Sequence, residues 1–205
     1  MDILNLFPVP VIHRNIANLI DQQTLNDMLT TISKSDMLQN QGKNLYTYNR
    51  ELLTTDYKDS AITQEIQKTL EFFVQQIYGE PNSKIRLTQS WLNFNPPGTN
   101  HLQHNHANSI VSGVLYLSVN DKTGSFKIYR PSAQQRMVIG KTQEWNEYSS
   151  EFCRFTPVFG DLYVFPSTVV HGVDINESDI TRVSLAFNSF YVGELDNSPL
   201  SKLTL

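Results

Sequence analysis

The sequence predicts a mainly β domain, a jelly-roll or barrel of two facing sheets with N-terminal helices packed outside it. Helical periodicity is confined to roughly the first 80 residues. From Lys84 onward the chain breaks into short runs rich in β-branched and aromatic residues, and turn signals separate those runs. Helices first and many strands after suit two packed layers with a helical flank. At 205 residues the chain fits a single domain, with a flank of about 1–80 and a β core of about 84–193.

The first predicted helix covers 21–34, with Asp21 as N-cap and Leu25, Met28, Leu29 and Ile32 at helical spacing. The second covers 59–78, with Ile62, Ile66, Leu70, Phe73, Val74 and Ile77 on one face and Gly79 closing it. Between them, residues 39–57 are polar and tyrosine-bearing and read as an irregular surface excursion. Strands are predicted over 85–95, 110–119, 124–129, 136–139, 153–157, 162–165 and 182–192. Pro96-Pro97-Gly98, Asn120-Asp121, Gly140-Lys141 and Asn176-Glu177-Ser178-Asp179 punctuate them. Residues 140–150 form the longest polar insertion of the β region, a candidate lid.

Composition narrows the function. A net charge of −4 gives no basic footprint for nucleic acid or an anionic membrane surface. Cys153 is the only cysteine, so a disulfide framework and a thiolate zinc site are both excluded. The start, Met1 to Pro8, lacks the basic and apolar regions of a signal peptide, and no apolar run approaches the ~20 residues of a membrane span. A cytoplasmic protein is the expectation. No phosphate-cradling glycine motif is present. Lys127, Arg130 and Arg136 read as a solvated sheet face.

Histidine placement is the chemical signal. Three of the five histidines lie in His101-Leu102-Gln103-His104-Asn105-His106, and His171 follows an apolar strand. Alternate residues of a strand face one side, so His104 and His106 point together and His101 the other way. His171 is the one histidine left to supply a third ligand from a distant strand. Imidazole suits iron, zinc, copper and nickel, so the ligands do not name the metal. Arg182-Val183-Ser184 adds an anion clamp, because the guanidinium fork grips a carboxylate bidentately. His13 and His101 read as structural.

His171 followed by Arg182-Val183-Ser184 resembles the distal histidine and Arg-x-Ser signature of Fe(II)/2-oxoglutarate-dependent dioxygenases. Ser112-Gly113-Val114-Leu115-Tyr116-Leu117 resembles the strand that follows the proximal ligands there. Trp91-Leu92-Asn93, the stretch from His104 through Tyr116, and Phe165-Pro166-Ser167 through Asn188 are similar to a small oxygenase group of phages and bacteria. The segment Leu6 to Pro10 also looks like that group's opening. The resemblance implies a double-stranded β-helix, Fe(II) and the cosubstrate 2-oxoglutarate. It implies iron ligands at His104 and His171, the cosubstrate's far carboxylate on Arg182 with Ser184 beside it, and further contacts from Tyr116, Asn93 or Asn188. The implied reaction is hydroxylation of a small-molecule or protein substrate, selected by loops such as 39–57 and 140–150.

One residue departs from the family pattern: His-x-Asp is usual, and position 106 is histidine. Three neutral imidazoles would leave about two positive charges on the metal. A ligand pair at His106 and Asn108 is the alternative spacing. Gly98, His104, His106, Gly160, Pro166 and His171 also trace a cupin metal motif, without its glutamate and with no role for Arg182. A jelly roll that binds without catalysing is the third reading, favoured by the missing aspartate.

Overall fold

The computed structural model describes residues 2–31, 36–134, 144–195 and 201–205. A seven-stranded sheet and a four-stranded sheet carry the fold. The strands of the larger sheet are β1 (Ile12–Asn15), β2 (Met37–Gln39), β3 (Leu45–Thr47), β4 (Lys84–Asn95), β6 (Val111–Ser118), β9 (Asp161–Pro166) and β11 (Arg182–Val192), in the order β1-β9-β6-β11-β4-β3-β2. The smaller sheet is β5 (His101–His104), β7 (Phe126–Tyr129), β8 (Phe152–Phe155) and β10 (His171–Val173), in the order β5-β10-β7-β8. A short pair, β12 (Glu194–Leu195) and β13 (Leu203–Thr204), stands apart. From β4 to β11 the chain alternates between the sheets, except that β7 and β8 follow one another in the smaller one, and the strand pairings are antiparallel throughout both. This is the double-stranded β-helix that the resemblance implies.

Strand alternation divides the side chains of the large sheet into two populations. Leu92 and Phe94, Leu115 and Leu117, Leu162 and Val164, and Val183, Leu185 and Phe187 face one side. There they meet Ile62, Ile66, Leu70, Phe73 and Val74 in one buried cluster. Tyr116, Tyr163 and Phe165 face the other side and meet Phe126, Ile128 and Val169 between the sheets. The helices therefore cover the outer face of the large sheet, and the chemistry is left to the inner face. Gly113 permits the close stacking in β6, since a Cβ there would lie 2.3 Å from the Phe187 ring.

The helices are α1 (Gln22–Thr30) and α2 (Ala61–Phe72), the latter prolonged by one π-helical turn, Phe73–Ile77. Asp21 caps α1 by accepting from the Thr24 backbone N–H at 2.8 Å, and Ser60 caps α2 in the same way from Thr63 at 3.2 Å. Gly79 follows with φ +72°, the left-handed geometry that ends a helix. The predicted residue Ile32 and the predicted strand 136–139 lie outside the described residues, as do 140–143 of the candidate lid.

Two expectations change. Residues 39–57 are not simply irregular: β2 and β3 extend the large sheet beyond β4, with Tyr46 opposite Asn93. Lys127 is no free basic face either, since it pairs with Asp174, which also holds Arg154 at 3.2 Å. Arg130 instead donates to the backbone oxygens of Ser150 at 2.9 Å and Glu147 at 2.8 Å.

Candidate metal centre

The ligating atoms of His104, His106 and His171 lie within 4.8 Å of one another. The fold brings them there by strand pairing. β10 sits between β5 and β7, and its first residue, His171, is directly opposite His104 on one side and Ile128 on the other. The ring centroids of His104 and His171 are 4.3 Å apart, and those of His106 and His171 are 5.0 Å apart. Just after β5, the His106 backbone N–H donates to the Ser167 carbonyl at 3.0 Å, tying the ligand loop to the one that precedes His171.

Two of the rings are aimed by backbone carbonyls two residues upstream. Nδ1 of His104 lies 2.8 Å from the Leu102 carbonyl, and Nδ1 of His171 lies 3.0 Å from the Val169 carbonyl. A carbonyl can only accept, so each Nδ1 carries the proton and each Nε2 keeps its lone pair for a metal. Burial, reinforced by the neighbouring His104, depresses the pKa of His106 to about 4. Burial and the same neighbour hold His171 well below the ordinary histidine range. Both rings are therefore neutral at pH 7, so a metal ion need displace no proton from either.

Behind the ligand loop lies a polar staple. Ser167 Oγ donates to Ser109 Oγ at 2.7 Å, Ser112 Oγ is 2.7 Å from Ser167 Oγ, and Ser112 Oγ lies 2.8 Å from Asn188 Oδ1. These hydroxyls join the loop after His106 to β6, β11 and the turn before His171. Asn188 also donates to Gln89 at 3.2 Å.

A cavity of about 50 Å³ runs inward from the imidazoles, lined by Asn93, Tyr116, Arg182 and Ser184 from the large sheet. Arg182 is 1% exposed, yet only its Nη2 has a partner, Asn95 Oδ1 at 3.0 Å. Its Nε and Nη1 are buried without partners among the described residues, as is the Tyr116 hydroxyl. Burial lowers the pKa of Arg182 and raises that of Tyr116. A buried donor left unpaired costs about 1–3 kcal/mol, more when charged. Three such donors at the inner end of one cavity fit an anion with two or more acceptor oxygens. Asn95 is itself fixed by Asn176, whose Nδ2 donates to the Asn95 carbonyl at 2.7 Å.

The placement of the expected residues is now plain. His104, His106, His171, Arg182, Ser184, Tyr116 and Asn93 share the inner cavity. Asn188 does not line it; the amide belongs to the serine staple and the wall of a second, outer cavity. Asn108 lies in an exposed left-handed turn, φ +54°, and lines neither cavity, whereas His106 groups with His104 and His171. His101 departs furthest from expectation. Its ring centroid is 5.2 Å from that of His104, and it lines both cavities. From His171 to Val173, β10 advances two residues, whereas its partner β5 advances three, from His104 to His101. That extra residue is a bulge, which reverses the parity of the strand and turns His101 inward. Asn95 and Asn176 carry no motif that would have singled them out.

Residues 89–188 match the family model described as "Putative 2OG-Fe(II) oxygenase". Over those residues the chain is similar to the 2OG-Fe(II) oxygenase family. Solved members of that fold superpose over most of the molecule. The epimerase SnoN from nogalamycin biosynthesis has a TM-score of 0.60 at 12% identity, covering 89% of this chain and 78% of its own. A Pseudomonas putida prolyl-4-hydroxylase has 0.56 at 14%, covering 88% and 92%. HygX from Streptomyces hygroscopicus, solved with nickel and 2-oxoglutarate, has 0.55 at 10%, covering 88% and 82%. No curated protein sequence matches the chain. At these identities the superpositions establish the double-stranded β-helix. The family's signature falls on β4 through β11, and the matched span encloses the three imidazoles and Arg182.

Proposed function

We propose that this chain is an Fe(II)- and 2-oxoglutarate-dependent oxygenase that hydroxylates a C–H bond. The observation that carries the reading is the buried guanidinium with two open donors, which lies over the Tyr116 ring in the cavity that the imidazoles also line. In this reading His104, His106 and His171 hold the metal on one side and leave the rest of its coordination sphere to ligands. Bound there, iron and the keto acid supply the oxidising chemistry: 2-oxoglutarate, O2 and a C–H bond become succinate, CO2 and an alcohol. Arg182 and Tyr116 receive the far carboxylate of the keto acid, with Ser184 and Asn93 completing the wall. The low basicity of His106 and His171 keeps them ligands instead of proton donors. Cytoplasmic placement and kinship with the phage and bacterial group belong to the same reading, supported by the single cysteine and the Leu6–Pro10 segment.

His106 in place of aspartate supports a second reading, a metal-binding roll without turnover, and a cupin shares its ligand pattern. Titration separates them. Mn(II) should bind the wild type and be lost in His104→Ala, His106→Ala and His171→Ala, each retaining the wild-type circular dichroism spectrum, while His13→Ala binds normally. The Mn(II)-loaded wild type should then bind 2-oxoglutarate. Metal binding without keto-acid binding would establish the cupin or inactive reading in its place.

A further inference from the structure

The outer cavity, about 420 Å³, opens from His101, His104 and His106 and is walled by Asn40, Tyr46, Arg50, Gln89, Trp91 and Asn105, besides other residues. That volume lies in the range of small-molecule sites. Its charge balance is one-sided. Arg50 is the one permanently charged side chain in the wall, and no Asp or Glu lines it. Among the described residues Arg50 makes no ion pair and no side-chain hydrogen bond, in a chain whose net charge is −4.

Arg50 is held in place without a carboxylate. Its guanidinium carbon lies 4.5 Å from the centroid of the Tyr46 ring and 5.3 Å from that of Trp91. Trp91 in turn packs against His106, with centroids 5.9 Å apart. One indole thus separates the cation from a proposed metal ligand. A guanidinium lying over aromatic faces keeps its N–H edge for a planar acceptor and loses little freedom on binding. The other walls are amides, which donate and accept without charge.

We infer that the outer cavity binds the primary substrate, that this substrate is a small molecule carrying a carboxylate, and that Arg50 is the residue that reads it. The inference rests on the oxygenase reading for the reaction but on Arg50 alone for the charge. A carboxylate seated on Arg50 leaves the remainder of the molecule to lie along Trp91 toward the imidazoles, among Asn40, Asn105 and Gln89. The reacting C–H bond would then be several bonds from the acid group, because an indole width lies between.

The test is ligand-observed NMR on Mn(II)-loaded protein with 2-oxoglutarate present. The probes are N-acetyl amino acids with neutral side chains, each as the free acid and as its carboxamide, and line broadening by the bound Mn(II) is the readout. Acids should broaden and their amides should not. Arg50→Gln should remove the preference, weakening the acids by roughly ten- to a hundredfold, the value of a charge-assisted hydrogen bond of about 1.5–3 kcal/mol. Arg50→Lys should restore part of it. Affinity for 2-oxoglutarate, which reads Arg182, is measured in parallel. Acids and amides that broaden alike, no broadening in either set, or a preference that survives Arg50→Gln overturns the inference while intact keto-acid binding keeps the oxygenase reading. An Arg50-dependent preference without keto-acid binding supports the cavity assignment and sinks the oxygenase reading instead.

Discussion

Replacing Arg182 with methionine should have opposite effects on the empty protein and on its complex. In the folded chain the guanidinium is 1% exposed, with Nη2 bonded to Asn95 and with Nε and Nη1 unpaired. Methionine relieves two buried orphan donors and a desolvated charge, and it leaves Asn95 Oδ1 without its donor. At about 1–3 kcal/mol per orphan, the exchange comes out between neutral and a gain of roughly 3 kcal/mol in metal-free stability. The complex behaves the other way. Losing one partner of a buried charge pair costs about 2–5 kcal/mol, which is on the order of 30- to several-thousand-fold in the 2-oxoglutarate Kd. Urea denaturation of metal-free protein measures the first effect, and calorimetric titration of 2-oxoglutarate into Mn(II)-loaded protein measures the second. A variant destabilised by 3 kcal/mol or more that binds the keto acid as well as wild type would show Arg182 to be a structural residue and refute the reasoning.

Two further predictions bear on the imidazoles. His106→Asp should retain Mn(II), because a carboxylate at the same position is also a ligand, but it adds a negative charge near a dianionic cosubstrate. At about 5 Å and an effective dielectric near 20 that is worth at most ~3 kcal/mol, so the 2-oxoglutarate Kd should rise by up to about a hundredfold; an unchanged Kd in the same titration would place position 106 away from the keto acid. Metal-free protein should lose stability as pH falls from about 6.5 to about 4, since the unfolded chain protonates its histidines near 6.5 whereas His106 stays neutral to about 4 and His101 to about 3. The urea midpoint should slope downward over that window, less steeply in a His101→Gln, His106→Gln double variant, and a midpoint that is flat from pH 7 to pH 5 would count against buried neutral imidazoles.

The readable parts of this fold were those where local pattern and long-range packing agree. β4 and β11 show apolar alternation because one face of each meets the helices and the other the site, and that alternation also sets Arg182 and Ser184 inward. The α2 helix announced itself by Ile62, Ile66 and Leu70 on one face, all buried. β5 and β10 fall outside the predicted strands: with four and three residues they are too short to show an apolar alternation, and each carries a site histidine. β2 and β3 were missed for a related reason: each has three residues, β2 lies at the sheet edge with β3 beside it, and Thr47 alone is buried. The triad was legible from histidine spacing. The fixing of Arg182 by Asn95, and of Asn95 by Asn176, was not, since an amide 81 residues away in sequence finds its partner only after both sheets close.

The bulge that turns His101 inward also disturbs the open edge of the small sheet. β5 is the outermost strand of the small sheet, and an outermost strand offers a row of free backbone donors and acceptors to any extended neighbour. The surplus residue breaks the even spacing of that row just where the strand is most accessible, beside exposed Leu102. A second molecule approaching edge to edge would find its hydrogen bonds out of step after the first pair. Glycine at position 172 makes the irregularity possible, since a Cβ there would come within 3.0 Å of the His101 carbonyl. The same extra residue that crowds a fourth imidazole into the cavity thus leaves the rim strand poorly matched to an edge-to-edge neighbour.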